Sequence, residues 1–396
     1  MIGYAILAPL TYHPDTKLTL YYATLGKEKV WDIYTYLANN KNDAPDFHYP
    51  PMNYWLLKAE LPLVKLVGGS GLVDWLGSNG NEAFASDKIF IYNLAVKTPL
   101  LILVLLAGWV IHQIVLKSGK SEKYANRALL IWLINPITLY SAVIMGQNDI
   151  LAMFPFVLGL MYFYDRPWVA FLLFGLAGSI KSYPLIWALM LAFTYPKINY
   201  SKKIMLALVP IICYVIPMLP FLKFQYFKES VINSGLAMRM FEGVIDIGFG
   251  DKLLIVPTIL IALLLIAAKN KLSLKLESLV MMLMTSTLVI LGFTHFHPQW
   301  FIWMMPFVAI YMSDKDDWWW LAMIFVALLG IIFLFDDKYL YWGLMSPMNN
   351  GLINLPYLSE ILVAAGVDVQ MLNNLCHSVI AGVGIYWVNV CNTNEK

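Results

Sequence analysis

WVAFLLFGLAGSIKSYPLIWALMLAFTY, residues 168–195, carries a single charge, Lys181, and is longer than the ~20 residues that a helix needs to cross a bilayer. Read alone, it is one long span. Its surroundings exclude that. Lys117, Lys120, Lys123 and Arg127 fill one short connection between apolar runs, Lys197, Lys202 and Lys203 a second, and Lys269, Lys271 and Lys275 a third. The positive-inside rule places all three in the cytoplasm. Two apolar runs, 127–145 and 150–164, lie between the first connection and residue 168, so the chain has gone out and come back when the 168–195 run begins. That run starts and ends inside. It therefore divides into two short helices that meet near Gly178 to Pro184 on the outer side, with Lys181 at the break.

Composition agrees with a membrane chain. Of 396 residues, 60% are hydrophobic and 13% charged, and the mean hydropathy is +0.67, outside the range of soluble globular proteins. The net charge of +2 is too small, and the basic residues too dispersed among loops, for a nucleic-acid-binding protein. Cys213, Cys376 and Cys391 lie in or beside apolar segments without CxxC or Cys/His spacing, which makes them packing residues rather than disulfide partners or zinc ligands. Further apolar runs at 88–115, 203–222, 252–268, 276–294, 298–312, 317–335 and 374–391 complete an all-α polytopic membrane protein, one domain over residues 1–396.

The same counting makes the span from residue 88 run outside to inside, so residues 13–87 form an external loop if residues 2–12 cross. Met1 to Tyr12 is shorter than the ~20 residues of a full span. Pro51 to Val67, with Lys58, Glu60, Pro62 and Lys65, suits a helix lying in the headgroup region. Residues 223–251 and 336–373 make two more external loops. Asp15 precedes Leu18, Tyr21, Tyr22 and Leu25 at helical spacing, which predicts an amphipathic surface helix with the acid at its start. That carboxylate is either an N-cap or a functional acid. Asp32 lies within that helix or just past it and reads as a solvated or hydrogen-bonded carboxylate. HYPP at 48–51 fixes two φ angles and turns the chain into the interfacial helix.

Polar residues from the outer ends of separate spans converge on this side: His13 and Asp15, Asp32, His48 and Tyr49, Gln147, Asn148 and Asp149, Lys181, Arg239, then His295, His297 and Gln299. Ionisable groups at membrane depth are costly and usually mark a site. GQND at 146–149 would be a C-cap and turn in a soluble protein; here it stands at the mouth of a cavity. Lys181 cannot snorkel along a continuous span and needs an anionic partner. THFHPQW at 294–300 sets two imidazoles two residues apart with no third ligand beside them. They suit hydrogen bonding to an anion better than a divalent metal, and no cofactor is expected. An acid facing a lysine, an arginine and histidines at the membrane boundary is what transfer from a lipid phosphate needs. The cations hold the phosphate as leaving group and the carboxylate takes a proton from an incoming hydroxyl.

These segments resemble the GT-C superfamily of glycosyltransferases, which use polyprenyl-phosphate sugars as donors, in particular the family 87 mannosyltransferases and the Alg-type glucosyltransferases. HPDTKLTLYYATLGKEKVWDIY resembles the stretch after the first helix that supplies the catalytic acid, which falls on Asp15. FHYPPMNYW is similar to the tyrosine-diproline motif that closes the external segment, and SDKIFIYNLAVKTPLLILVLL to the next span of the Alg-type enzymes. GQND resembles the polar motif after the third span, without the aromatic residues common in the Alg-type branch. GSIKSYP is similar to the lysine-proline motif that places Lys181 on the donor phosphate, and THFHPQW to the late histidine motif. The resemblance implies a bundle of about 12 transmembrane helices and an inverting transfer of a hexose such as mannose from a polyprenyl-phosphate donor to a lipid-linked or cell-surface glycan acceptor. Arg239, His295 and His297 join Lys181 at the phosphate, with Asp32, His48, Tyr49, Gln147, Asn148, Asp149 and Gln299 in support. The active site lies on the external face of an integral membrane protein of the plasma membrane, whose partners are these two substrates and membrane lipids.

Two other classes remain. A transporter or flippase of lipid-linked saccharides predicts paired polar sites at both faces and internal repeats, and neither is visible. A structural subunit of a polysaccharide complex predicts a dead site, against which Asp15 and Lys181 stand intact.

Overall fold

Helices occupy nearly every apolar run of the chain, and the computed structural model describes residues 2–25, 32–41 and 43–393. Parts of the expected external loop, at 26–31 and 42, lie outside the described residues. Ile89–Lys117, Tyr200–Phe221 and Val369–Thr393 are long and apolar enough to cross a membrane unaided. Glu122–Ile134 and Pro136–Ile144 reach that length only as a pair bent by 42°. Six further apolar helices, Asp149–Tyr162, Pro167–Ile180, Pro184–Thr194, Ile255–Lys269, Leu276–Gly292 and Trp319–Leu334, have 10 to 17 residues. At ~1.5 Å per residue they fall short of ~30 Å of hydrocarbon. The expected bundle of about 12 spans is thus only partly present as full-length helices.

The 168–195 run breaks where the loop charges require. Its first helix ends at Ile180, Lys181 is extended (φ −141°, ψ 140°), and Pro184 opens the second helix, where a missing N–H is harmless. The helices approach closely at the turn: a Cβ on Gly178 would come within 2.4 Å of Leu185 Cδ2. The 298–312 segment, expected as a span, is instead a 3-10 turn Pro298–Trp303 followed by the short helix Met305–Tyr311, both almost wholly buried. Pro298 and Pro306 each remove a backbone donor and start a new element rather than continuing one.

Near the N-terminus, Ile2–Leu10 is followed by Pro14–Tyr22. This second helix is not the amphipathic surface helix that the spacing predicts: Thr16, Lys17, Thr19, Leu20 and Tyr22 are all buried, on more than one face. It is covered by Pro51–Gly68 and Leu72–Gly77, which pack on it. The buried Lys17 ammonium donates to the Ser78 carbonyl and lies 5.8 Å from the Trp75 ring. HYPP does form a corner, with Pro50 extended and Pro51 first in its helix. Pro51–Gly68 packs through Tyr54, Leu57, Leu61 and Val64 and leaves Leu63, Leu66 and Val67 exposed. The sequence reading did not foresee the antiparallel hairpin of Val244–Gly248 and Asp251–Leu254, whose tip, Gly248 to Gly250, has positive φ at all three residues.

Charged loops gather at one end of the molecule. Lys120 pairs with Asp314 at 2.8 Å, Arg127 with Asp316 at 2.5 Å, Lys117 with Asp165 at 3.6 Å and Lys315 with Glu277 at 2.7 Å. The long helix from Ile89 to Lys117 leads from that end to the other. Lys97, 20 residues before Lys117 and so ~30 Å away along the helix, contacts the ends of Ile2–Leu10 and of the π-helical turn Leu139–Ile144.

Candidate functional site

At this second end, two corners of the chain meet. The first is the turn between Ile2–Leu10 and Pro14–Tyr22. His13 caps the second helix, its Nδ1 accepting the Asp15 backbone N–H at 3.2 Å. Asp15 is therefore not the cap. Its carboxylate is free of helix duty and half exposed, at 52%. The second corner is Gly146 to Asp149. The π-helical turn Leu139–Ile144 is followed at Gly146 by φ +72°, a conformation that glycine adopts without strain. Thr16 Oγ1 stands 2.6 Å from the Met145 carbonyl and 2.9 Å from that of Gly146. Gln147 Nε2 reaches across to His13 Nδ1 at 3.3 Å and to Asp15 Oδ2 at 3.4 Å. Because Nδ1 accepts these N–H groups, the His13 proton sits on Nε2, and burial lowers the pKa of this imidazole, keeping it neutral.

Asp149 begins Asp149–Tyr162, where the helix dipole favours a carboxylate. Its Oδ1 accepts from Lys181 Nζ at 2.8 Å and from Trp303 Nε1 at 2.6 Å, with both charged groups buried. Asp149 is thus the anionic partner that Lys181 requires. On its other side Lys181 lies 5.1 Å from the Tyr49 ring. A ladder of rings leads outward from the pair: Tyr183 stacks on Trp303 at 3.7 Å, Trp303 on Trp300 at 4.8 Å, and the Arg239 guanidinium covers Trp300 at 5.4 Å. His297 touches the edge of this ladder, 5.6 Å from Trp300 and 6.2 Å from His295. Burial first, and then Arg239, lower the His297 pKa to about 4, against the opposing pull of Asp15. The same influences lower His295. Both imidazoles are neutral near pH 7 and offer N–H donors rather than charge. Arg239 forms no ion pair among the described residues, and its Nη1 donates to the His295 carbonyl at 3.5 Å.

The structure therefore brings together Asp15, Gln147, Asp149, Lys181 and Tyr49, with Arg239, His295 and His297 grouped around Trp300. The charge of Asp15 acts on both Lys181 and His297. Buried side-chain atoms without a partner occur on these segments, at His13 Nε2, Asn148 Nδ2, Asp149 Oδ2 and Gln299 Oε1. Such atoms are rare in folded proteins and suit the reception of a polar group. Two expected residues stand elsewhere. Asp32 caps Ile33–Asn39, its Oδ1 accepting from Thr35 N at 3.0 Å. His48 is exposed, with Nδ1 2.8 Å from the Ser230 carbonyl, and ties two external segments together. Among the described residues no group of three or more His, Cys, Asp or Glu is placed to hold a metal ion.

Sequence reasoning missed Trp303, Tyr183, Trp300 and Lys97. The three aromatic residues lie inside or next to the quoted motifs, but nothing in a greasy sequence separates a ring beside a carboxylate from a packing ring. Lys97 carried a readable signal, a cation in the middle of an apolar run. A family model described as Glycosyltransferase family 87 matches residues 84–298, more than half of the chain. The matched region holds Lys97, Gln147 to Asp149, Lys181, Arg239, His295 and His297; Asp15 precedes it. No curated protein and no solved structure matches the chain.

Proposed function

The chain belongs to glycosyltransferase family 87, and from that premise we propose that this integral membrane glycosyltransferase moves a hexose from a polyprenyl-phosphate donor to a lipid-linked or cell-surface glycan acceptor on the external face of the plasma membrane. Asp15 is the general base. The observation that carries this reading is its half-exposed carboxylate, released from capping by His13 and opposed by Lys181 across the Gly146 to Asp149 corner. A carboxylate can accept the acceptor hydroxyl proton as oxygen attacks the anomeric carbon. Lys181 and Arg239 offset the charge that grows on the departing phosphate, with N–H groups of His295 and His297 as further donors. Tyr49, Gln147, Asn148 and Gln299 orient the substrates, and Asp149 holds Lys181 in place. One base acting through the acceptor, with no second carboxylate as nucleophile, gives inversion.

Incubation of the purified protein with a panel of radiolabelled polyprenyl-phosphate sugars and membrane lipid extract tests this. A new labelled lipid, formed with one sugar and absent with Asp15→Asn, is the expected result. Transfer only from nucleotide sugars, or from none of the panel, overturns it.

A further inference from the structure

Among the described residues, the fully buried Lys97 amine has no carboxylate partner. It lies in the long helix Ile89–Lys117 at 1% exposure, and its Nζ has four oxygen acceptors: the carbonyls of Ala8 at 3.1 Å, Thr11 at 2.8 Å and Ile144 at 2.6 Å, and Thr11 Oγ1 at 2.8 Å. These acceptors belong to the two corners that make the site. Ala8 and Thr11 end the segment that turns into His13 and Asp15. Ile144 ends the segment that turns through Gly146 into Gln147 and Asp149. Thr11 Oγ1 links the same two corners a second time, 2.8 Å from the Ile144 carbonyl. The lysine stem fills the space where Gly146 has no side chain: a Cβ there would meet Lys97 Cγ at 2.9 Å and Cε at 3.0 Å. Carbonyls at the ends of helical segments lack intrahelical partners; buried at membrane depth, they need a donor, and a lysine amine with more than one N–H group can serve both corners at once.

We propose that Lys97 is a positioning residue, whose amine ties these two corners together and so fixes the distance between Asp15 and the Gln147 to Asp149 segment. Its catalytic consequence rests on the reading of Asp15 as the base; its structural claim does not. Lys97 touches no reacting atom, so its loss should move kcat more than the donor KM.

The test is hydrogen–deuterium exchange on the full chain in detergent, alongside transfer kinetics, for Lys97→Met, Lys97→Arg and Lys97→Gln. Lys97→Met removes the donor and keeps the bulk, whereas Lys97→Gln keeps a shorter, uncharged donor. Both should speed exchange at residues 11–20 and 144–149 by about tenfold or more, the scale of losing one buried hydrogen bond. Exchange in Leu276–Gly292 should not change, and kcat should fall by a similar factor with a smaller change in donor KM. Lys97→Arg should restore part of both. Unchanged exchange at the two corners, or equal acceleration throughout the chain, overturns the proposal. If Lys97→Met fails to fold, Lys97→Gln decides it alone by the same criteria. Local acceleration in a protein that transfers no sugar even as the wild type leaves Lys97 as the tie and overturns the proposed transfer reaction instead.

Discussion

A single carboxylate carries the chemistry proposed for this chain, and its neighbourhood separates it from the other acids. Asp15→Asn keeps shape and polarity but cannot accept a proton, so transfer should fall by ~10²- to 10⁴-fold while donor affinity stays close to that of the wild type; single-turnover kinetics and donor binding measure the two separately. Asp32→Asn should be nearly silent, because asparagine caps a helix as well as aspartate and the Thr35 N–H retains an acceptor. If Asp32→Asn is dead and Asp15→Asn is active, the base is misassigned. Protonation of His297 gives a further residue-scale expectation. Its folded pKa of about 4 lies below the unfolded value of 6.5, so between these values the unfolded chain binds more protons than the folded one. The contribution of His297 to folding stability is fully present above pH 6.5 and is lost as pH falls toward 4. Thermal melting from pH 7 to 4 should show a steeper decline for wild type than for His297→Gln, and parallel curves would contradict the assigned shift.

At the scale of elements, the break between Pro167–Ile180 and Pro184–Thr194 makes Lys181 available and Asp149–Tyr162 supplies its counter-charge. Lys181→Ala leaves the buried Asp149 carboxylate unpaired, which costs roughly 3 to 5 kcal/mol, and should also weaken donor binding. Adding Asp149→Asn removes the stranded charge. The double variant should regain most of the stability and none of the donor affinity; recovery of both would make Lys181 a structural partner only. The break was legible because it follows from charge parity between loops, a property of linear sequence. The convergence of Asp15, Gln147, Lys181 and His297 was legible for the same reason, as polar groups at outer ends of apolar runs. The burial of Pro14–Tyr22 was not. It depends on Pro51–Gly68 and Leu72–Gly77 folding over it, a long-range contact that spacing within nine residues cannot report. Nor was the hairpin at Val244–Leu254, whose short alternating strands are interrupted by glycines and leave every residue of the first strand exposed.

For the molecule as a whole, the ion pairs among 117–127, 165, 277 and 314–316 and the site around Asp15 lie at opposite ends of Ile89–Lys117, which fixes the separation of these regions but not which end faces the cytoplasm. On the proposed topology the three lysine-rich connections are inside, which would put the exposed hairpin residue Lys252, which precedes Ile255–Lys269, outside with the site. Single cysteines can test this in a chain whose Cys213, Cys376 and Cys391 are replaced. Lys252→Cys and Lys123→Cys both stand at exposed positions, so access to the reagent depends on sidedness rather than burial. In intact cells a membrane-impermeant maleimide should label Lys252→Cys fully and Lys123→Cys only after permeabilisation. The reverse pattern would place the site in the cytoplasm, where a polyprenyl-phosphate sugar with an outward-facing headgroup could not reach it. Labelling of both from one side would break the loop-charge parity that divides residues 168–195 into two short helices around Lys181.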